Sequence, residues 1–130
     1  QQNKRYMEAL IIKKTEDTPA IHLDKAAGIF EFSGKSLPED VTSFYGPVFD
    51  WITAYGEDAN ESSKFVFKMT YFNTASSKII LDILMRLETL HEDGKNISVE
   101  WHYEEDDEDM QEAGEEYADI VEVPFTFVED

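Results

Sequence analysis

Phe65-Val66-Phe67-Lys68-Met69-Thr70-Tyr71-Phe72-Asn73-Thr74-Ala75-Ser76-Ser77-Lys78 is the stretch that decides the fold. Phe65 to Phe72 carries apolar residues on both alternating faces, the pattern of a central strand covered on both sides. Beyond Lys78, Ile79, Ile80, Ile83, Leu84, Leu87 and Leu90 recur at helical spacing, and Gly94 offers a left-handed stop. Residues 71–78 are therefore a strand-to-helix turn. Asn73 and Thr74 both suit its N-cap, where a side-chain oxygen accepts from the unpaired N–H groups of the first helical turn. The charge is unusual: of the 29 Asp and Glu in the chain, none falls between Asn73 and Ser77, and Lys78 follows instead. Two readings stand side by side. The hydroxyls are ordinary caps, or this uncharged helix N-terminus beside a lysine accommodates an added phosphate.

Downstream, Ile97-Ser98-Val99-Glu100-Trp101-His102-Tyr103 alternates strictly, placing Ile97, Val99, Trp101 and Tyr103 on a buried side and leaving an exposed polar side that includes His102. Strand, helix and strand in succession predict a right-handed βαβ crossover with parallel neighbours. The run Glu104-Glu105-Asp106-Asp107-Glu108-Asp109 leads into an acidic helix from Asp107 to about Ala118, and Val123 to Val128 reads as a last strand that Pro124 opens or places at an edge.

Upstream, Val41, Phe44, Tyr45, Val48, Trp51, Ile52 and Tyr55 describe a helix with an aromatic core face. Pro47 requires either a kink or a regular part that begins near Tyr45 or Gly46. Gly56 to Ser63 is polar and returns the chain to the sheet. Tyr6 to Ile12, Ala20 to Leu23 and Gly28 to Gly34 predict an opening meander of short strands, and residues 1–5 are expected to be disordered.

The chain of 130 residues is long enough for one domain with its own core, and its composition, 42% hydrophobic and 13% aromatic, agrees. It lacks cysteine, which removes disulfide scaffolds, thiolate metal sites and cysteine nucleophiles. No apolar run approaches the roughly 20 residues of a membrane span, and the opening residues do not read as a signal peptide, so a cytoplasmic location is expected. Gln1 in place of an initiator Met leaves room for residues ahead of it.

A formal net charge of −18 argues against nucleic-acid binding and favours partners that present a basic face. The acidic run lacks the alternate oxygen ligands and central glycine of a calcium loop, and reads as a solvated helix N-terminus. His22, His91 and His102 lie on different elements, and no nucleophile elbow or metalloprotease helix occurs. Neither catalysis nor a cofactor is expected.

Thr18-Pro19-Ala20-Ile21, Gly34-Lys35-Ser36-Leu37-Pro38-Glu39, Tyr71 to Lys78 and Trp101-His102-Tyr103 with its trailing acids occur in an order and spacing that resembles the SiaC family of bacterial regulatory phosphoproteins. The resemblance spans nearly the whole chain. It implies a single α/β domain similar to anti-sigma-factor antagonists: a mixed sheet with a parallel βαβ core, an N-terminal β-meander and helices packed on the sheet. It further implies a phosphorylated residue at the strand-to-helix turn, matched here by Thr74. Ala75 stands where a serine is expected, which leaves Ser76 and Ser77 as secondary candidates. Asn73, Lys78 and Tyr71 are the expected phosphate or partner contacts. The partners implied are a dedicated serine/threonine kinase, a metal-dependent phosphatase and a diguanylate cyclase, bound and activated by the unphosphorylated form in cyclic-di-GMP signalling. The competing class is a constitutive acidic adaptor or nucleic-acid mimic acting through Glu104 to Asp109.

Overall fold

Six strands lie in one sheet in chain order, with helices filling the connections between parallel neighbours. The computed structural model describes residues 7–130; the expected disorder of residues 1–5 and the strand start at Tyr6 lie outside them. β1 (Leu10–Ile12), β2 (Ala20–Asp24) and β3 (Ile29–Ser36) form the antiparallel meander. Then α1 (Val41–Gly56), β4 (Ser63–Phe72), α2 (Thr74–Glu92), β5 (Ile97–Tyr103), α3 (Glu108–Ile120) and β6 (Phe125–Glu129) alternate. β3, β4, β5 and β6 are mutually parallel.

Strand twist makes parallel crossovers right-handed, so three crossovers stepping the same way along the sheet stack their helices on one face. The core is built there. Phe32, Phe67 and Trp101 are register neighbours on β3, β4 and β5, and their rings follow one another at 4.7 and 5.6 Å between centroids. Trp51 and Tyr55 of α1 pack on Phe30, while Ile80, Ile83, Leu84 and Leu87 of α2 are fully buried. α3 closes the layer over Trp101, with Tyr117 edge-on to the indole at 5.5 Å.

Among the described residues the opposite face carries no helix, which corrects the expectation that β4 is covered on both sides. Phe65, Phe67 and Met69 are buried, but Lys64, Lys68 and Thr70 on the other face are exposed. Val66 and Phe72 made that face look apolar in the alternation; Lys64 and Lys68 mark it as solvated. It is laced by ion pairs instead, Lys68–Glu31 at 3.0 Å and Lys64–Glu100 at 3.2 Å.

His102 is also corrected. It lies on this face yet is only 8% exposed, because Glu100 Oε2 approaches its Nε2 at 2.7 Å and Asp130 Oδ1 its Nδ1 at 3.0 Å. The hydrogen bond from His102, joined by Lys64, holds the Glu100 carboxyl below the usual glutamate range. A depressed carboxylate contributes stability that is fully present above its unfolded pKa, about 4.3, and is lost as pH falls through the lower folded value. Glu100→Gln is therefore expected to flatten the acid limb of stability. Urea unfolding at pH 7, 4.5 and 3.5 checks this: the wild type should lose more between the last two than the variant does.

Of the two outcomes expected at Pro47, a kink or a late start, the late start is not found. The helix runs unbroken from Val41, with the Asp40 side chain accepting from the Ser43 N–H at 3.2 Å as N-cap. Pro47 is exposed and removes one backbone bond, a loss outweighed by burial of Tyr45, Val48, Trp51, Ile52 and Tyr55 on the other side. Boundaries shift elsewhere by a few residues: α3 begins after its cap Asp107, and the last strand begins after Pro124. No helix among the described residues is long and apolar enough to cross a membrane.

Candidate functional site

The parallel strands bring their carboxyl ends to one edge of the sheet. There β4 hands over to α2 through Asn73, whose backbone is extended (φ −86°, ψ −179°) and whose side-chain oxygen accepts from the Ser76 N–H at 2.9 Å. Asn73 is thus the cap, and Thr74 the first helical residue. With the cap already supplied, the Thr74 hydroxyl is left exposed and without a hydrogen-bond partner among the described residues.

The two serines behind it are occupied. Ser76 is fully buried, and its Oγ donates to the Ser36 carbonyl at 2.9 Å while meeting Ser36 Oγ at 2.8 Å. Because that proton is committed, Ser36 Oγ donates to Ser76, and the Tyr45 hydroxyl in turn donates to Ser36 at 2.7 Å. Burial pushes the Tyr45 hydroxyl up to about 12, keeping it a neutral donor. The relay joins α1, the end of β3 and the first turn of α2, so it fixes the turn from below.

Ser77 is held from the other side. Tyr117 of α3 donates its hydroxyl to the Ser77 carbonyl at 2.8 Å, which leaves Ser77 Oγ to donate to Tyr117 at 3.1 Å. Burial raises the Tyr117 pKa and keeps that hydroxyl protonated as well. Three hydroxyls crowd the turn in sequence, but only Thr74 is exposed and without a hydrogen-bond partner among the described residues.

Lys78 is exposed four residues after Thr74, a spacing that puts both on one strip of the helix surface. Tyr71 is 54% exposed at the end of β4, where a shift of register beside Gly34 pairs it with Lys35. Tyr71, Asn73, Thr74 and Lys78 therefore gather at one place, while Ser76 points inward and Ser77 toward α3. Glu104, Glu105 and Asp106 are exposed after β5, on the same edge.

Sequence reasoning missed the supports, Ser36, Tyr45 and Tyr117. Their partners are 40 residues away for Ser36–Ser76 and Ser77–Tyr117, so no local signal marks them. The only clue was a pair of tyrosines at buried helical positions, each needing a partner for its hydroxyl.

Comparison with known proteins agrees along the chain. The model of the SiaC family of regulatory phosphoproteins matches residues 12–130. A curated relative, an uncharacterised protein of Pseudomonas aeruginosa strain UCBPP-PA14, is 35% identical over 119 residues, covering 92% of this chain and 94% of its own. Among solved structures, SiaC of Pseudomonas aeruginosa superposes with a TM-score of 0.88 at 33% identity, covering 95% of this chain and all of that one. SiaC is also seen in a complex described as the diguanylate cyclase SiaD with its activator SiaC from Pseudomonas aeruginosa; that structure matches at 34% identity with a TM-score of 0.87, covering 93% of this chain and 99% of that one. The family model, the curated relative and the solved structures converge on one conclusion: the chain belongs to the SiaC family of regulatory phosphoproteins.

Proposed function

We propose that this protein is a non-enzymatic activator of a diguanylate cyclase, switched by reversible phosphorylation of Thr74. A cognate serine/threonine kinase adds the phosphate and a metal-dependent phosphatase removes it; the unphosphorylated form binds the cyclase. The observation that carries the reading is the contrast within one turn: Thr74 is exposed and uncommitted, while Ser76 and Ser77 are tied into the fold. The cyclase as partner is suggested by the complex of the related SiaC with SiaD.

A phosphate on Thr74 brings about −1.5 to −2 charges at pH 7 to a helix N-terminus that has free N–H groups, with Lys78 one turn on. Within the domain that is tolerated. Against a partner fitted to a small neutral hydroxyl it is bulky and charged, so it ejects the partner without refolding the domain. Asn73, Tyr71 and Lys78 act as supporting contacts.

The test is a cyclase assay. Unphosphorylated protein added to the diguanylate cyclase of its own host should raise cyclic-di-GMP synthesis, and protein phosphorylated on Thr74 should not. Equal stimulation by both forms refutes the switch, and stimulation by neither refutes the partner.

A further inference from the structure

Charge is segregated along the chain. Residues 96–130, which hold β5, α3 and β6, contain 14 Asp and Glu and no Lys or Arg; all 11 basic residues precede them. α3 exposes Glu108, Asp109, Glu112, Glu115, Glu116 and Asp119, and none of these forms an ion pair among the described residues. Glu108 and Glu112, Glu112 and Glu116, and Glu115 and Asp119 stand four apart, the spacing at which like charges oppose a helix. The fold supplies no cation in return. Lys64 is matched to Glu100, and Lys78 and Lys95 pair with no carboxylate of α3.

The same end of the molecule leaves a strand edge open. β6 is the last strand of the sheet and pairs only with β5. The Pro124 carbonyl accepts from the Val99 N–H, and the Asp130 N–H donates to the Tyr103 carbonyl, both at 2.8 Å. Backbone groups alternate sides along a strand, so the even-numbered residues face β5, and Phe125, Phe127 and Glu129 turn their N–H and C=O groups to the outer edge. Edge strands are commonly blunted by shortness or by charge. β1 follows that rule, with three residues and then Lys13 and Lys14. β6 does not: Phe125-Thr126-Phe127-Val128-Glu129 carries its one charge at the end. That end is held in register by Asp130, whose Oδ1 meets His102 Nδ1 at 3.0 Å. On the helix side of the sheet the rings of Phe125 and Phe127 lie 5.9 Å apart, and Phe127, the register partner of Trp101, is 37% exposed.

We infer that the outer edge of β6 accepts a seventh strand from a protein partner, an extended segment with Lys or Arg at alternate positions. Main-chain hydrogen bonds to Phe127 and Glu129 hold the segment, and its alternate side chains give specificity. The basic residues face the helix side, where their apolar stems cover Phe127 and their head groups reach toward the carboxylates of α3, which packs over the neighbouring β5. The remaining side chains lie beside Thr126 and Val128 on the open face, where the register of β6 places them next to Glu100 and His102. β6 is one strand spacing, about 4.8 Å, from β5, and the segment therefore enters a field of one sign. Thr74 follows β4, two strands away, so occupancy of this edge is separate from the phosphorylation proposed above and neither rests on the other.

The experiment uses the full chain and, as probe, a capped peptide of about nine residues alternating Lys and Val, titrated in while amide exchange is followed by NMR. A peptide of equal charge in which Pro replaces two of the Val residues is the control. The Lys-Val peptide is expected to bind and to slow exchange at the Phe127 and Glu129 amides by roughly tenfold or more, while the Thr126 and Val128 amides, already bonded to β5, change little. The proline peptide should bind roughly fivefold or more weakly. The variant Glu112→Gln/Glu115→Gln/Glu116→Gln/Asp119→Asn, which relieves like-charge pairs and should keep its melting temperature, is expected to bind the Lys-Val peptide roughly fivefold more weakly at low salt. Absence of binding, equal binding of the two peptides, protection that spares Phe127 and Glu129, or unchanged affinity in the neutralised variant would each overturn the proposal.

Discussion

Stoichiometric phosphorylation of Thr74 is expected to weaken binding to the cyclase by roughly a hundredfold or more, while the melting temperature stays close to that of the unmodified protein. The first half follows from desolvation: a partner covering Thr74 would have to bury a dianionic group that it has no cation to match. The second follows from the turn itself. Among the described residues the Thr74 hydroxyl bonds to nothing that a phosphate would displace, and the cap and relay beneath it run through Asn73, Ser76 and Ser36. Thr74→Glu should reproduce only part of the effect, because a carboxylate has less charge and fewer acceptor oxygens than a phosphate. Calorimetric titration of both forms, with differential scanning of each alone, checks the two halves together. A large fall in melting temperature on phosphorylation would point to a refolded turn and replace the steric switch with a conformational one.

Gly114→Ala is expected to cost about 3 kcal/mol of stability, among the largest effects of any single-methyl addition in the chain. A Cβ at position 114 would stand 2.4 Å from Trp101 Cδ1 and 2.5 Å from its Nε1. The indole cannot yield. Its N–H donates to the Met110 carbonyl at 2.9 Å, Phe67 stacks on it, and Tyr117 meets it edge-on. Relief would require α3 to lift from the sheet, which would also strain the contact between Tyr117 and Ser77 three residues after Thr74. Gly56→Ala offers a contrast: there the new Cβ meets only the tip of Leu90, at 2.5 Å from Cδ2, and a rotamer change relieves most of it. Thermal unfolding should show a drop of roughly 10 °C for Gly114→Ala and clearly less for Gly56→Ala. Equal values would mean that the indole is free to move.

Much of the fold was legible because its signals are local. The helical spacing after Lys78, the alternation from Ile97 to Tyr103 and the turn chemistry at Asn73 each depend on residues within a few positions of one another. The elements that misled are those decided at a distance. Whether β4 is covered on both faces depends on which way three crossovers step; within β4 itself Lys64 and Lys68 alternate onto the same face as Val66 and Phe72, so the strand carries both signals. His102 looked solvent-facing on its own strand; Asp130, 28 residues on, closes over it. Pro47 left a late helix start open, and the burial of five residues on the far side of α1 carries the helix through it from Val41.

The candidate site divides in the same way. That a phosphate would suit the turn was readable from its hydroxyls, its lack of acids and Lys78. Which hydroxyl is available was not readable from the residues alone, where only the family resemblance singled out Thr74; Thr74, Ser76 and Ser77 differ in what Ser36 and Tyr117 do to two of them. Gly114 carried no sequence signal either, since a glycine inside a helical pattern shows its purpose only when the ring beneath it is seen.

The most direct test of Thr74 as the switch is phosphopeptide mass spectrometry on protein recovered from its own cells, read on the tryptic fragment from Met69 to Lys78, which holds Thr70, Thr74, Ser76 and Ser77 together. Phosphate confined to Thr74 is the predicted result. Phosphate on Ser76 or Ser77, or a fragment that stays unmodified across growth conditions and after phosphatase inhibition, would contradict it.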